Sequence, residues 1–262
     1  MQAEGRALMS VKLSVADAGK RYGAFDALLN CSFDVAANKI VSIVGPSGCG
    51  KTTLLWSMSG LIPLTSGTIT LDQKPITGPH PDIGLVFQEA NLLPWRTLID
   101  NILFPHEIKR TKPDLSWIEH LLERVGLKGF EQRFPRELSG GMQQRASIVR
   151  ALALRPQVLL MDEPFVALDA FTREEMNRLV EEIWLEAKTT IVFITHSIEE
   201  ALFLSDRVLV LCKRPGRVQG DYAVPFPRPR SLETMASREV FDLTNRIKGD
   251  IYGLKPQSAA AE

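Results

Sequence analysis

The run Gly45-Pro46-Ser47-Gly48-Cys49-Gly50-Lys51-Thr52-Thr53 constrains this chain more than any other feature, because it lies between the apolar stretch 40–44 and a helix-compatible run from Leu54. A glycine-rich turn joining strand to helix lets the backbone wrap closely around a polyphosphate with its N–H groups inward. The helix N-terminus that follows adds positive potential. In that setting Lys51 is expected to reach the β- and γ-phosphates and Thr52 to ligate Mg²⁺.

The rest of the chain offers the scaffold such a loop needs. Short β-branched runs recur at residues 11–15, 40–44, 68–71, 83–87, 158–161, 191–194 and 208–211, and several are apolar throughout. Continuous apolar strands belong to a parallel sheet covered on both faces, with helices as crossovers, so the expected fold class is α/β. The stripe Leu115, Ile118, Leu121, Leu122 and Val125 predicts a helix closed by Gly126. Thr172 with Glu175 has the spacing of a capping box ahead of Met176, Leu179, Val180, Ile183 and Trp184, and Ser197 with Glu200 repeats it. Between Gln88 and about Arg155 the strand signal lapses. This predicts a helical subdomain over 89–155 inserted into a core of 1–88 and 156–225. A C-terminal extension, 226–262, carries one helical pattern and a tail, QSAAAE, expected to fray. The Pro- and Arg-rich stretch 225–230 reads as an extended, solvated face.

Three further patterns carry chemistry. The apolar strand from Val158 ends in Asp162 and Glu163. A carboxylate at the end of a neighbouring strand is where a Mg²⁺ beside the phosphate loop needs its second anchor, which assigns Asp162 to the metal. Glu163, one residue on, points elsewhere and is placed to polarise an attacking water. Ser139-Gly140-Gly141-Met142-Gln143-Gln144 opens a long helical pattern: Ser139 reads as its N-cap, and the glycines leave N–H groups unpaired at a second anion-binding terminus. One chain with one nucleotide has no need of two such termini, so a head-to-tail dimer in which each copy completes the other's site is expected. His196 lies in a strand-to-helix loop at the same sheet edge and could contact a γ-phosphate.

Bulk properties exclude other classes. With 262 residues and 45% hydrophobic content the chain buries a full core. Its 31 basic residues balance 31 acidic ones, so no positive field argues for nucleic acid. Cys31, Cys49 and Cys212 lack paired spacing and read as reduced thiols; an accessible Cys49 thiol would make nucleotide entry sensitive to modification. His80, His106 and His120 show no metal-ligand spacing. The N-terminal residues do not have the form of a secretory signal, and no run approaches the length of a membrane span, so a membrane role must come through a partner.

Taken in order, these pieces resemble the nucleotide-binding subunit of ABC transporters from about Val11 to Gly216. Gly45 to Thr53 matches the Walker A loop, residues 138–143 the family's signature, and residues 158–163 Walker B with the catalytic glutamate. Tyr22 is similar to the aromatic residue that stacks on adenine, Gln88 to the Q-loop glutamine that links Mg²⁺ and water to the membrane partner, Ala167-Leu168-Asp169 to the D-loop, and His196 to the switch histidine. The resemblance implies a RecA-like core with an antiparallel β part and a helical subdomain. It also implies two ATP molecules, each with Mg²⁺, sandwiched in a homodimer between Walker A of one copy and the signature of the other. Transmembrane permease subunits, served by a periplasmic or surface solute-binding protein, would respond at the cytoplasmic face of the membrane. Residues 91–96, Pro164-Phe165, the segment 214–217 and stretch 225–230 resemble importers of nitrate, sulfonate, taurine and bicarbonate, and relatives carrying thiamine precursors share them. Asn38-Lys39, Thr52 and Val166 depart from the usual residues without removing a catalytic group. The competing reading is a soluble ABC ATPase that drives an assembly process.

Overall fold

The computed structural model describes residues 10–253; the expected fraying of the C-terminal tail lies outside them. In chain order the elements begin β1 (Val11–Tyr22), β2 (Phe25–Ala36), β3 (Ile40–Val44), α1 (Lys51–Met58), β4 (Ser66–Leu71), β5 (Lys74–Pro75) and β6 (Ile83–Val86). Then come α2 (Leu98–Lys109), α3 (Leu115–Arg124), a 3-10 turn Pro135–Glu137, α4 (Gly140–Ala153), β7 (Val158–Asp162) and α5 (Ala170–Ala187). The chain closes with β8 (Thr190–Ile194), α6 (Ile198–Leu204), β9 (Arg207–Leu211), β10 (Val218–Ala223), α7 (Leu232–Met235) and α8 (Arg238–Tyr252).

Two sheets organise these elements. One has strand order β2-β1-β4-β5 and is antiparallel; the other runs β10-β9-β3-β8-β7-β6, parallel except where β10 joins β9. Every residue of β3, β7 and β8 is buried, as strands covered on both faces must be. Alternate side chains divide the core. Leu159, Met161, Ile191 and Phe193 pack with α2, α3, α4 and α5, whereas Leu160, Val192, Val41 and Ile43 pack with α1 and the antiparallel sheet. A third cluster joins Val44, Val208 and Val210 to α6 and to Val240, Leu243 and Ile247 of α8.

Among the described residues no strand lies between 87 and 157, the stretch where the sequence signal lapses. The helices there share one continuous core with the sheet: Ile102, Ile118, Leu122 and Val149 belong to the same buried cluster as Met161. No helix among the described residues is long and apolar enough to cross a membrane.

Three local expectations are corrected. The cap of α5 is Asp169, not Thr172: its carboxylate accepts from Phe171 N (3.1 Å), Thr172 N (3.0 Å) and the Thr172 hydroxyl (2.7 Å). A carboxylate satisfies two orphan amides where a hydroxyl satisfies one, so the helix starts a turn earlier. Ser197 does cap α6, accepting from Glu200 N at 3.2 Å, but the Glu200 side chain turns to the Thr195 hydroxyl and to Arg173 at 3.4 Å, so the box is half made. Stretch 225–230 is extended with its three prolines exposed, but its arginines turn inward rather than to solvent. Arg230 is buried and donates to the carbonyls of Leu202 (2.8 Å) and Phe203 (2.7 Å) near the end of α6. Arg228 pairs with the buried Glu181 at 2.8 Å and lies over Trp184. Cations suit the unpaired carbonyls of a helix C-terminus. Burial nonetheless pushes the Arg230 guanidinium down to about 10.

Candidate active site

The phosphate loop turns sharply at two left-handed glycines, Gly48 (φ 73°) and Gly50 (φ 102°), and Gly50 precedes α1 with no side-chain cap. The first amides of α1 are thus left to the loop's concave side, the arrangement that binds anions. Gly45 is required by close packing, since a Cβ there would sit 2.7 Å from the Leu211 carbonyl. Pro46, Ser47 and Cys49 complete the turn; the Cys49 amide donates back to the Pro46 carbonyl at 3.2 Å. The Cys49 thiol faces inward, 1% exposed, and burial pushes its pKa up, so the condition for modification to block nucleotide entry is not met.

Lys51, on the first turn of α1, is buried and folds back over the loop: Nζ donates to the Gly45 carbonyl at 3.0 Å and the Pro46 carbonyl at 3.4 Å. It lies 3.5 Å from Glu163 Oε1. Thr52, next on the helix, donates to Asp162 Oδ1 at 3.2 Å. Asp162 ends the buried strand β7, and burial holds its carboxyl above the usual range, opposed by the Thr52 hydrogen bond.

Glu163 takes a left-handed backbone, φ 42°, which costs a non-glycine residue about 1–2 kcal/mol. Its amide is tied to the Ile194 carbonyl of β8 at 3.0 Å, which holds the turn. The consequence is directional: Asp162 faces Thr52, and Glu163 swings to Lys51 on one side and His196 Nδ1, 3.1 Å away, on the other. His196 reaches this position from the loop after β8.

An open cleft of about 310 Å³ lies beside these groups, lined by Tyr22, Phe25, Ala27, Ser47, Gly48, Gly50, Lys51, Thr52, Thr53, Gln88, Glu163 and Arg214, with Asp162 and His196 behind Thr52 and Glu163. Tyr22, half exposed at the end of β1, supplies an aromatic face. The chemistry converging here is a cradle of amides, one buried ammonium, a strained carboxylate and a hydroxyl–carboxylate–amide oxygen set from Thr52, Asp162 and Gln88. Those three oxygens are hard donors of the kind Mg²⁺ selects. Among the described residues no group of three His, Cys, Asp or Glu side chains could hold a metal by itself.

The helix start expected at Ser139 is formed but lies outside this cleft. Ser139 caps α4, accepting from Met142 N at 3.2 Å, and Ser139 and Gly140 are exposed. None of Ser139, Gly140, Gly141 and Gln143 lines the cleft, and neither does Asp169. The Gln143 amide donates to the carbonyls of Pro135 (3.0 Å) and Leu138 (3.1 Å), which fixes the turn before α4. Burial does not lower Asp169; its hydrogen bonds from Thr172 do.

Sequence reasoning missed the residues that tie these parts together. On α4, Gln144 donates to the Phe87 carbonyl at 3.2 Å, and Arg150 donates to the carbonyls of Ala90 (2.7 Å) and Asn91 (2.8 Å). The backbone on both sides of Gln88 therefore hangs from the helix that Ser139 caps. Buried Asn101 holds the following residues through Leu93, Arg96 and Thr97. Arg173 grips the Phe165 and Leu168 carbonyls before Asp169. An Asn or Arg that satisfies distant carbonyls has no periodic signature.

Comparison with known proteins matches residues 28–166 to the family described as ABC transporter. A taurine import ATP-binding protein of Rhizobium johnstonii is 48% identical over 251 residues, covering 92% of this chain and 95% of the relative. Among solved structures, cbiO1 from Clostridium perfringens, part of the ABC transporter complex cbiONQ, superposes with a TM-score of 0.75 at 26% identity, over 90% of this chain and 95% of that one. A dimeric post-hydrolysis state of the ATP-binding cassette MJ0796, bound to ADP and Pi, has a TM-score of 0.71 at 30% identity, over 82% of this chain and 100% of that one.

Proposed function

Because this chain belongs to the ABC transporter family, whose ATP-binding proteins hydrolyse ATP, we propose that it powers uptake of a small solute through a membrane permease, working as a homodimer. One observation carries the reading. Lys51, Glu163 and Gln88 converge on a polyphosphate cleft, while a second anion-binding terminus, at Ser139, is exposed and outside it. Two copies facing each other head to tail would bring the Ser139, Gly140 and Gly141 amides of one to the nucleotide of the other, with Gln143 and Asp169 shaping that edge.

In this account Tyr22 stacks on adenine, and the amides of 45–53 with Lys51 hold the phosphates. Thr52, Asp162 and Gln88 would hold Mg²⁺, which would neutralise charge developing on the phosphate oxygens. Glu163 takes a proton from the attacking water, and His196 senses the γ-phosphate beside it. The His196–Glu163 contact supports that pairing, as hydrogen-bond reach is the first requirement of a general base and its neighbour. ATP binding would close the dimer and pull on the permease through the segment after Gln88, and hydrolysis would reset it.

The taurine-import relative favours a sulfonate such as taurine among the nitrate, sulfonate, bicarbonate and thiamine-precursor solutes of the group. A separate solute-binding protein would deliver it, and the chain would sit at the cytoplasmic face of the inner membrane, held by the permease. Co-purification of the tagged chain from detergent-solubilised cells tests this: a multi-span permease in stoichiometric amount is expected. Recovery of soluble proteins alone would assign the same engine to an assembly process.

A further inference from the structure

The nucleotide cleft has a cation that neither the phosphate loop nor the family motifs supply. Arg214 lies in the turn between β9 and β10, 163 residues after Lys51 in the chain (214 − 51), yet it lines the same cleft. Its Nε donates to the Gly48 carbonyl at 2.7 Å, and its guanidinium lies over the Phe25 ring, 5.1 Å from the centroid. One face and one edge of the fork are therefore fixed, and among the described residues the two terminal nitrogens have no hydrogen-bond partner. Among the described residues no carboxylate comes within ion-pair reach of it. An arginine immobilised this way presents a planar pair of donors to an anion at little entropic cost.

The turn that carries it is itself locked in place. Gly216 donates to the Ala27 carbonyl at 3.0 Å and accepts from the Leu29 amide at 2.9 Å, stitching the turn to β2. A Cβ on Gly216 would sit 2.1 Å from the Cys49 carbonyl, so only glycine lets the turn press against the phosphate loop. At Gly48, already held to glycine by its left-handed φ of 73°, a Cβ would meet the Arg214 guanidinium at 2.5 Å, a measure of how closely that side chain lies over the loop. Three segments far apart in sequence thus meet to hold one guanidinium above the middle of the loop.

We propose that Arg214 is a nucleotide-binding residue, clasping the phosphate chain of a nucleoside di- or triphosphate against the loop beside Gly48, as a second cation to Lys51. The inference rests on the reading of the cleft as an ATP site. Its contact falls on phosphate, since the Gly48 carbonyl that anchors Arg214 belongs to the polyphosphate turn and the base is left to Tyr22. The segment 214–217, whose only mark in the sequence was a subgroup resemblance, acquires a physical role.

The test is equilibrium binding of ATP, ADP and adenosine to the full chain, for wild type, Arg214→Ala, Arg214→Lys and Lys213→Ala. Losing a charge-assisted bond to phosphate should weaken ATP and ADP about tenfold to a hundredfold while leaving adenosine unchanged. Arg214→Lys keeps the charge without the fork and should fall between. Lys213→Ala removes the same charge from the same turn, where its side chain is exposed and outside the cleft, and should bind as wild type. Arg214→Ala with wild-type ATP affinity overturns the proposal and leaves the ATP site standing. An equal loss in Lys213→Ala also overturns it, reducing Arg214 to general electrostatics. Wild-type protein that binds no ATP overturns this inference and the functional reading together.

Discussion

Glu163→Gln separates binding from chemistry, because the same carboxylate opposes one and drives the other. In the structure Glu163 Oε1 lies 3.5 Å from Lys51 Nζ. At an effective dielectric of about 20 that attraction is about 5 kcal/mol before desolvation, and it competes with any phosphate for the ammonium. Glutamine keeps the shape and removes the charge, so Lys51 is freed and a repulsion toward the γ-phosphate is lost. ATP affinity should hold or rise. The rate should fall by about 10²- to 10⁴-fold, about 3–5 kcal/mol of barrier, because the amide cannot take a proton from water. Phosphate release under saturating ATP, paired with a binding isotherm on the same sample, reads both quantities. Chains that bind ATP without turning it over should accumulate as dimers on size exclusion. Hydrolysis within a few-fold of wild type would refute the role of Glu163, and a matching loss of affinity would show that the carboxylate's contact with Lys51 supports the loop.

Further expectations concern the frame around the site. Burial raises the Asp162 pKa, so the folded state favours the protonated form; this contribution to stability is present in acid and lost as pH rises through the raised value. Asp162→Asn should therefore raise the melting temperature of the metal-free protein at neutral pH, with the gain vanishing as pH falls into the carboxylate range. Phe193 is fully buried against Phe165, ring centroids 5.7 Å apart, and Phe193→Ala should cost about 3–5 kcal/mol by chemical denaturation. A thiol reagent should label the partly exposed Cys212 well before the buried Cys49 or Cys31, since burial pushes the Cys49 pKa up and that of Cys31 up to about 11; mass spectrometry of peptides from a time course decides the order.

What was legible in the sequence shares one property: its signal is contiguous. The phosphate loop, the apolar strands β3, β7, β8 and β9 and the Ser139 cap each write their requirement into adjacent residues. Strand β2 is hidden because its alternation breaks in the middle: Ala27 and Leu28 are buried side by side and Asn30, at φ 50°, shifts the phase before Cys31, Phe33 and Val35 resume it. The α5 cap was misplaced because Thr172 and Glu175 have the right spacing, while Asp169 competes with a better acceptor. Stretch 225–230 looked solvated because the carbonyls that bury Arg230 lie 28 and 27 residues away. The pairing of Glu163 with His196 spans 33 residues, and the hold of Gln144 on Phe87 spans 57. Such contacts are properties of strand order, which β3 between β8 and β9 fixes only in three dimensions.

One chain holding the nucleotide while a second completes the site makes turnover depend on association. The most direct measurement is ATP turnover per chain as the purified protein is diluted, with Ser139→Arg alongside. Specific activity should fall on dilution as dimers separate, and a Ser139→Arg chain should bind ATP as wild type but not hydrolyse it. Specific activity that stays constant at every concentration, with Ser139→Arg fully active, would contradict that dependence.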